Sequence, residues 1–388
     1  MELSKPRAPR YASLDLWRGV ACLMVLVNHA VSFRGVARPS DGLMQHVNVA
    51  ISAVSQRMWI GVPIFFVISG YCITAALDSH RRKQRSVAEY FLRRFRRIFP
   101  PYWVVLIATA SIAGVLDVVF SGAVSRNGLF RPWWFSASQW FGSFTLTEIW
   151  RAHIFGSTKA LYLGQAWTLC YEEQFYAVSG ALLLLCPRRL FSGAVGVSGA
   201  VALVALAAPR LNLPVDGFFF DGNWLQFSLG ILLYYVVNYG STMARTLAGV
   251  VFALVIVAAA SYGAALLNTE KNQAQVYLVA GGFSLVALWL QKFDARLMEA
   301  PILGPLRSCG LMCYSLYLVH MPVAMLILAA FRAAGIAPES LSPFISLPVC
   351  AIPALWLSWQ FHLTVERRFM RAPAPERQPV VGEQLAMA

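Results

Sequence analysis

Charge is scarce in this 388-residue chain. Asp, Glu, Lys and Arg make up only 13% of it, about half the share usual in soluble globular domains, and the 18 acidic residues are outnumbered by 32 basic ones. Composition of that kind excludes an ordinary soluble domain. A metal or disulfide framework is not implied either: the seven cysteines, Cys22, Cys72, Cys170, Cys186, Cys309, Cys313 and Cys350, all sit within or beside apolar runs, where a thiol acts as a small packing residue. Cys309 and Cys313 are four apart, as in half a metal site, but no second half lies nearby in sequence. No internal repeat stands out. The net charge of +14 would suit nucleic acid only if the basic residues gathered on a soluble face. They fall instead in short stretches between apolar runs, so no nucleic-acid partner is expected.

What is present in excess is apolar sequence, 58% of the residues, with a mean hydropathy of +0.59. The chain reads as an all-α polytopic membrane protein embedded in a lipid bilayer. Runs long enough to span occur at 14–32 and at about 58–77, 99–120, 166–186, 190–208, 223–239, 245–267, 274–290, 306–331 and 341–362. These make about ten transmembrane helices, expected to surround a central polar cavity. The basic N-terminus leads into an apolar run too long for the core of a signal peptide, so it is read as a retained first helix. The expected division is an N-terminal arm at 1–13, one membrane domain at 14–366 and a disordered tail at 367–388. With both termini in the cytoplasm, the inward-facing connections hold roughly twice the lysine and arginine of the outward-facing ones.

Against this apolar background the ionisable residues inside the spans are the candidate functional groups, because each is costly in lipid unless it faces protein or water. The first span holds two, Arg18 and His29, which lie about three helical turns and roughly 16 Å apart on one face. Between spans two and three runs SHRRKQRSVAEYFLRRFRR. Its first part, Arg81, Arg82, Lys83 and Arg85, reads as a charge cluster at a lipid surface. Its second part sets Arg93, Arg94, Arg96 and Arg97 before Pro100 and Pro101, which are expected to shape a helix start. Surface charge explains those arginines as well as phosphate recognition does, although guanidinium groups hold phosphates bidentately and lysines do not.

Other polar positions stay open on sequence alone. Ser69 in span two sits among Gly61, Pro63 and Gly70 and reads as a packing residue, with a cavity-lining role as the alternative. The long connection at 121–165, carrying Trp133, Trp134, Trp140 and Phe141, reads as an interfacial aromatic belt, a re-entrant segment or a sugar-binding platform. Span four begins with Glu172 and Glu173, expected at the same depth as His29, so that one carboxylate would fix the imidazole as a general base. A His–Glu pair that merely locks two helices is the plainer alternative. His320 in span nine is either part of the site or satisfied by a neighbouring carbonyl or tyrosine.

The strings LDLWRGVACLMVLVNHA, GVPIFFVISGY, RRFRRIFPPYW, AWTLCYEEQFY, YSLYLVHMPV and VERRF, in that order, resemble the signature stretches of the acyltransferase-3 family of integral membrane O-acyltransferases. The resemblance covers residues 11 to 371 and lies in the order of the six motifs. It implies a ten-helix domain that takes an acyl group, commonly acetyl, from acyl-coenzyme A and places it on a hydroxyl of a sugar or other acceptor. It also implies that Arg18 and His29 match the family's arginine and histidine with ten residues between them, His29 being the base. Arg94 and Arg97 would match the paired arginines that hold the coenzyme A phosphates, and Glu172 the span-four glutamate. Trp17 stands where an aliphatic residue is usual, and Cys170–Tyr171 replaces a small residue and a valine. Some members carry an added extracytoplasmic hydrolase-like domain; this chain is expected to work without one, or with a separately encoded transfer protein.

The resulting expectation is a bacterial inner-membrane O-acyltransferase acting on a surface polysaccharide, glycolipid or lipid-linked acceptor. Its catalytic residues would be His29, Glu172 and Arg18, and its donor-binding residues Arg94 and Arg97. No metal and no permanently bound cofactor are expected, acyl-coenzyme A being a substrate. His29 would either deprotonate the acceptor directly or first take the acyl group itself. A proton-coupled exporter is the alternative, since intramembrane His, Glu and Arg also serve transport, but it predicts inverted repeats that the sequence lacks. A non-catalytic scaffold would leave the Arg18–His29 spacing without a purpose.

Overall fold

The computed structural model describes residues 11–32, 43–119, 131–156, 158–262 and 273–370. Within them every regular element is a helix, as an apolar backbone with no water to bond must be. The ten stretches read from sequence fold as α1 (Leu14–Ser32), α3 (Gly61–Arg82), α4 (Val87–Val119), α7 (Trp167–Leu185), α8 (Leu190–Leu211), α9 (Asn223–Asn238), α10 (Thr242–Ser261), α11 (Gln273–Leu290), α14 (Cys313–Ala333) and α15 (Pro343–Phe361). Among the described residues, eight helical stretches are long and apolar enough to cross a membrane. Of the ten, α9 falls short in length and α7 in apolarity. The protein is an all-α polytopic membrane protein.

Shorter helices fill the connections: α2 (Leu43–Arg57), α5 (Ala137–Thr145), α6 (Glu148–Phe155), α12 (Asp294–Glu299), α13 (Gly304–Leu311) and α16 (Arg367–Met370). Several boundaries differ from expectation. Pro100 and Pro101 do not open α4 but lie inside it, because residues 87–99 are already helical and are held by the i,i+4 pairs Arg85–Glu89 and Glu89–Arg93. The ninth span is broken at Met312, and its first part, α13, packs across the start of α1. A Cβ on Gly310 would fall 1.7 Å from the carbonyl oxygen of Asp15, so only glycine permits that crossing. Residues 11–13, the described end of the N-terminal arm, are tied to the body. Tyr11 donates to the Ala287 carbonyl at 2.7 Å, and the amides of Ala12 and Ser13 donate to Asp294. Residues 1–10 lie outside the described residues, as do 371–388, while the expected tail begins with the helical turn α16.

The interior is organised by close helix pairs. α3 packs on α9, α10 on α11, α1 on α13 and α14 on α15. A second anchor is Asp78, fully buried near the end of α3, which accepts from Arg81, Tyr234 and Tyr239 and pairs with Arg82. At the end of α15 the helix widens to a π-turn, His362–Glu366. There the buried Glu366 accepts from Ser315 at 2.5 Å and lies 2.8 Å from His362 Nδ1, tying the start of α14 to the end of α15.

The connection read as a belt or re-entrant segment is folded. In its described part α5 lies against α4, with Tyr102 donating to the Ser143 carbonyl and Trp103 to that of Phe144, and α6 packs on α5 and α7. Trp140 is half-buried and stacks on Tyr162, while Trp133, Trp134 and Phe141 stay exposed. The chain then enters the interior: Gln165 is buried and donates to the Leu318 carbonyl at 3.0 Å. That carbonyl is available because Pro322, four residues on, has no N–H to offer it.

Candidate active site

α1 and α14 run side by side in the same direction. Cys22 Sγ contacts the Cys313 carbonyl at 3.6 Å, and seven residues further along both helices His29 Nδ1 meets His320 Nε2 at 2.9 Å. One register therefore holds over a heptad, two turns of each helix. The histidine rings are parallel within 2°, with centroids 5.1 Å apart. That separation equals the nitrogen–nitrogen distance plus two ring radii, so the rings share a plane and the bond runs along a lone-pair direction. His320 Nδ1 in turn lies 2.7 Å from the Leu316 carbonyl.

Glu172 stands elsewhere. Its Oε1 accepts from Ser69 at 2.9 Å and from Tyr176 at 2.5 Å, so its partners are on α3 and α7 rather than His29. The reason is where α7 begins. The 3-10 turn Gly164–Ala166 already lies beside Leu318, and Thr168 donates to Tyr317 at 2.8 Å, the Tyr317 hydroxyl donating onward to the Gln165 carbonyl. The helix therefore starts at the level of Tyr317 and Leu318, in the second turn of α14, and runs towards Tyr314, away from the histidines. Glu172 lies one turn further from them than Thr168, within electrostatic reach of Tyr314. Glu173 keeps one buried carboxylate oxygen without a hydrogen-bond partner.

Arg94 and Arg97 flank this carboxylate. The i,i+3 spacing turns these two inward and half-buried, while Arg93 and Arg96 face outward and are exposed. Arg93 is held by Glu89 at 2.5 Å. Arg94 makes no hydrogen bond or ion pair among the described residues. It lies over Tyr176 at 5.2 Å and Tyr90 at 5.7 Å, with Glu172 in electrostatic range. Arg97 likewise has no ion pair there and acts electrostatically on Tyr176. Tyr314 bonds the Ile98 carbonyl at 2.7 Å, and from Tyr314 to His320 the axial rise along α14 is about 9 Å. Arg18 pairs with Asp15 at 3.1 Å, and its guanidinium is within electrostatic range of the Cys72 and Cys313 sulfurs, one turn below the Cys22–Cys313 contact.

The polar groups named from sequence thus form two stations rather than one. Arg18, Arg94, Arg97 and Glu172 gather at one end; His29 stands with His320 about three turns along α1 from Arg18. His320 and Tyr176 are the partners that sequence reasoning left open or passed over. A signal for the first was present: CLMVLVNH and CYSLYLVH both set a cysteine seven residues before a histidine. Among the described residues no cluster of three or more His, Cys, Asp and Glu is placed to hold a metal ion.

Comparison with known proteins agrees with the motifs. A family model described as "Acyltransferase domain" matches residues 11–363. The chain is 27% identical over 320 residues to the peptidoglycan O-acetyltransferase OatA of Listeria monocytogenes, covering 74% of this chain and 49% of that protein. It is 28% identical over 302 residues to the putative membrane-bound transacylase BcsY of Komagataeibacter xylinus, covering 74% and 72% respectively. It is 29% identical over 205 residues to nodulation protein 10 of Rhizobium leguminosarum bv. viciae, covering 52% of each. The chain spans about half the length of the Listeria and Rhizobium relatives. No solved structure matches it.

Proposed function

The chain belongs to the acyltransferase-3 family, and from that premise we propose that it moves an acyl group, acetyl in the first instance, from cytoplasmic acyl-coenzyme A to a sugar hydroxyl. The acceptor belongs to a surface polysaccharide, glycolipid or lipid-linked precursor. The observation that carries this reading is the pair Arg94 and Arg97, turned inward without ion-pair partners among the described residues, on the same interior that holds His29 and His320. Two guanidinium groups beside tyrosines suit a polyanionic donor. A histidine pair two helical turns away suits chemistry on a hydroxyl.

In this mechanism the donor's phosphates lie on Arg94 and Arg97, Glu172 balancing the local charge. The pantetheine arm passes Arg18 and brings the thioester towards His29. The acceptor arrives from the opposite end, beneath the folded α5–α6 segment. His29 takes the hydroxyl proton as the oxygen attacks the thioester carbonyl; the carbon–sulfur bond breaks and the leaving thiolate collects a proton. The basic end faces the cytoplasm, with both termini, in a bacterial inner membrane, and no metal takes part. A separate extracytoplasmic protein relays the group where the final acceptor lies beyond the membrane.

The test is acyl-coenzyme A turnover by purified protein in lipid nanodiscs, with labelled donors and lipid-linked sugars, wild type beside His29→Ala. Transfer by wild type that His29→Ala abolishes while donor binding persists supports the reading. Donor-independent solute flux that requires His29 overturns it in favour of transport.

A further inference from the structure

We propose that His320 is a positioning residue that holds His29 in the tautomer whose Nε2 takes the acceptor's proton. The inference rests on the reading of His29 as the base. A backbone carbonyl can only accept, so the 2.7 Å contact to Leu316 requires the N–H of His320 to be on Nδ1. A neutral imidazole carries one N–H, which leaves His320 Nε2 as an acceptor. The 2.9 Å contact between the rings then has one solution: His29 Nδ1 donates to His320 Nε2. The lone pair of His29 is thereby assigned to Nε2, on the far side of its ring from His320. In the other tautomer two lone pairs would face each other at 2.9 Å.

The fold gives His320 little freedom to do otherwise. It is 2% exposed, and Leu316 is one turn below it on the same helix, so the carbonyl that sets its tautomer moves with it. The carbonyl has two lone pairs, so it can serve the helix ladder and the ring together. Beside it Tyr317 is fixed by Thr168 and by the Gln165 carbonyl, which keeps its hydroxyl occupied away from the imidazoles. The relay runs from the Leu316 carbonyl through His320 to His29 and needs no carboxylate. When His29 takes a proton, its Nδ1–H stays bonded to His320 and the charge forms at an already oriented ring.

Two measurements test this. The first is 15N NMR of histidine-labelled wild-type protein in nanodiscs, with His29→Gln identifying the His29 signals. The expected spectrum has a protonated Nδ1 and a bare Nε2 on His29; a protonated Nε2 overturns the proposal, whether or not any donor is turned over. The second compares His320→Gln with His320→Leu in acyl transfer. Glutamine can offer an amide oxygen near the Nε2 position, whereas leucine fills the space and accepts nothing. Leucine is expected to lower kcat about 100-fold with the donor KM unchanged, and glutamine to hold it within about tenfold of wild type. Equal activity of the two variants, or higher activity with leucine, assigns His320 to packing and overturns the proposal. A wild type without transferase activity sinks the acyltransferase reading alone, the NMR result still deciding the tautomer.

Discussion

Gly70 of α3 and Gly230 of α9 meet backbone to backbone. A Cβ on Gly70 would fall 2.0 Å from the Phe227 carbonyl oxygen, and one on Gly230 2.0 Å from that of Val67. This crossing sets the distance between α3, which carries Ser69 to Glu172, and the fully buried Trp224–Phe227 cluster. Small residues at such crossings let helices in a membrane gain packing that apolar side chains alone do not supply.

Gly70→Ala and Gly230→Ala are therefore each expected to cost about 3 kcal/mol, the upper end for an overpacked interior, because the atom in the way is backbone and cannot swing aside. Gly196→Ala, with nothing within 4 Å of the added carbon, is the matched control. Thermal unfolding in detergent, followed by loss of the monodisperse gel-filtration peak, measures all three. Equal melting of the three variants would contradict the crossing.

The four arginines before Pro100 should separate by helical face. Arg94→Ala and Arg97→Ala are expected to raise the donor KM roughly tenfold or more, the worth of one charge-assisted hydrogen bond. Arg93→Ala and Arg96→Ala, on the exposed face, should stay within about twofold, since exposed ion pairs are worth little. Donor-concentration curves for the four variants decide this. A uniform effect would mean that bulk charge at the lipid surface is what counts.

Glu172 bonds Ser69 and Tyr176 and not His29, which gives it a distinct kinetic signature. Glu172→Gln keeps an accepting oxygen for the two hydroxyls but removes the charge near Arg94, so its main effect should fall on donor KM. A loss confined to kcat would instead return Glu172 to the histidines. Glu172→Ala strands two hydroxyls and should also lower stability by about 2 kcal/mol.

Asp78 is buried with two arginines and two tyrosines directed at it, a network that ties α3 to α9 and Tyr239. Removing its charge leaves Arg81 and Arg82 uncompensated at the end of α3. Asp78→Asn is expected to cost about 3 kcal/mol. Folded, purified variant should retain the wild-type donor KM, so that thermal stability and kinetics part company.

The helices were legible in the sequence because the lipid phase imposes a strict rule: an apolar run of the right length must satisfy its own backbone, and helix is the way to do it. That rule placed α1 at Leu14–Ser32 without help from any other residue. It said less about Pro100 and Pro101, where ion pairs in the preceding turns carried the helix through, and nothing about α2 or the folded α5–α6 segment. The candidate site was legible as a set of residue types for the same reason: Arg18, His29, Glu172 and His320 are conspicuous because each is costly where it stands. Which of them meet was not. Depth along a span, counted from its end, assumes that every helix starts at the same surface. α7 starts inside the body, because Gln165 takes the carbonyl that Pro322 leaves open. Together with the Thr168–Tyr317 and Tyr317–Gln165 bonds, that contact sets Glu172 beside Ser69 and Tyr176 rather than His29. The sequence by itself determined the class of protein, its helices and its stock of polar groups, since these follow from local composition and the cost of burial. The tertiary structure decided the pairing of His29 with His320 and the inward turn of Arg94 and Arg97 beside Tyr176, because hydrogen bonds a few ångströms long depend on the relative register of helices that no local pattern encodes.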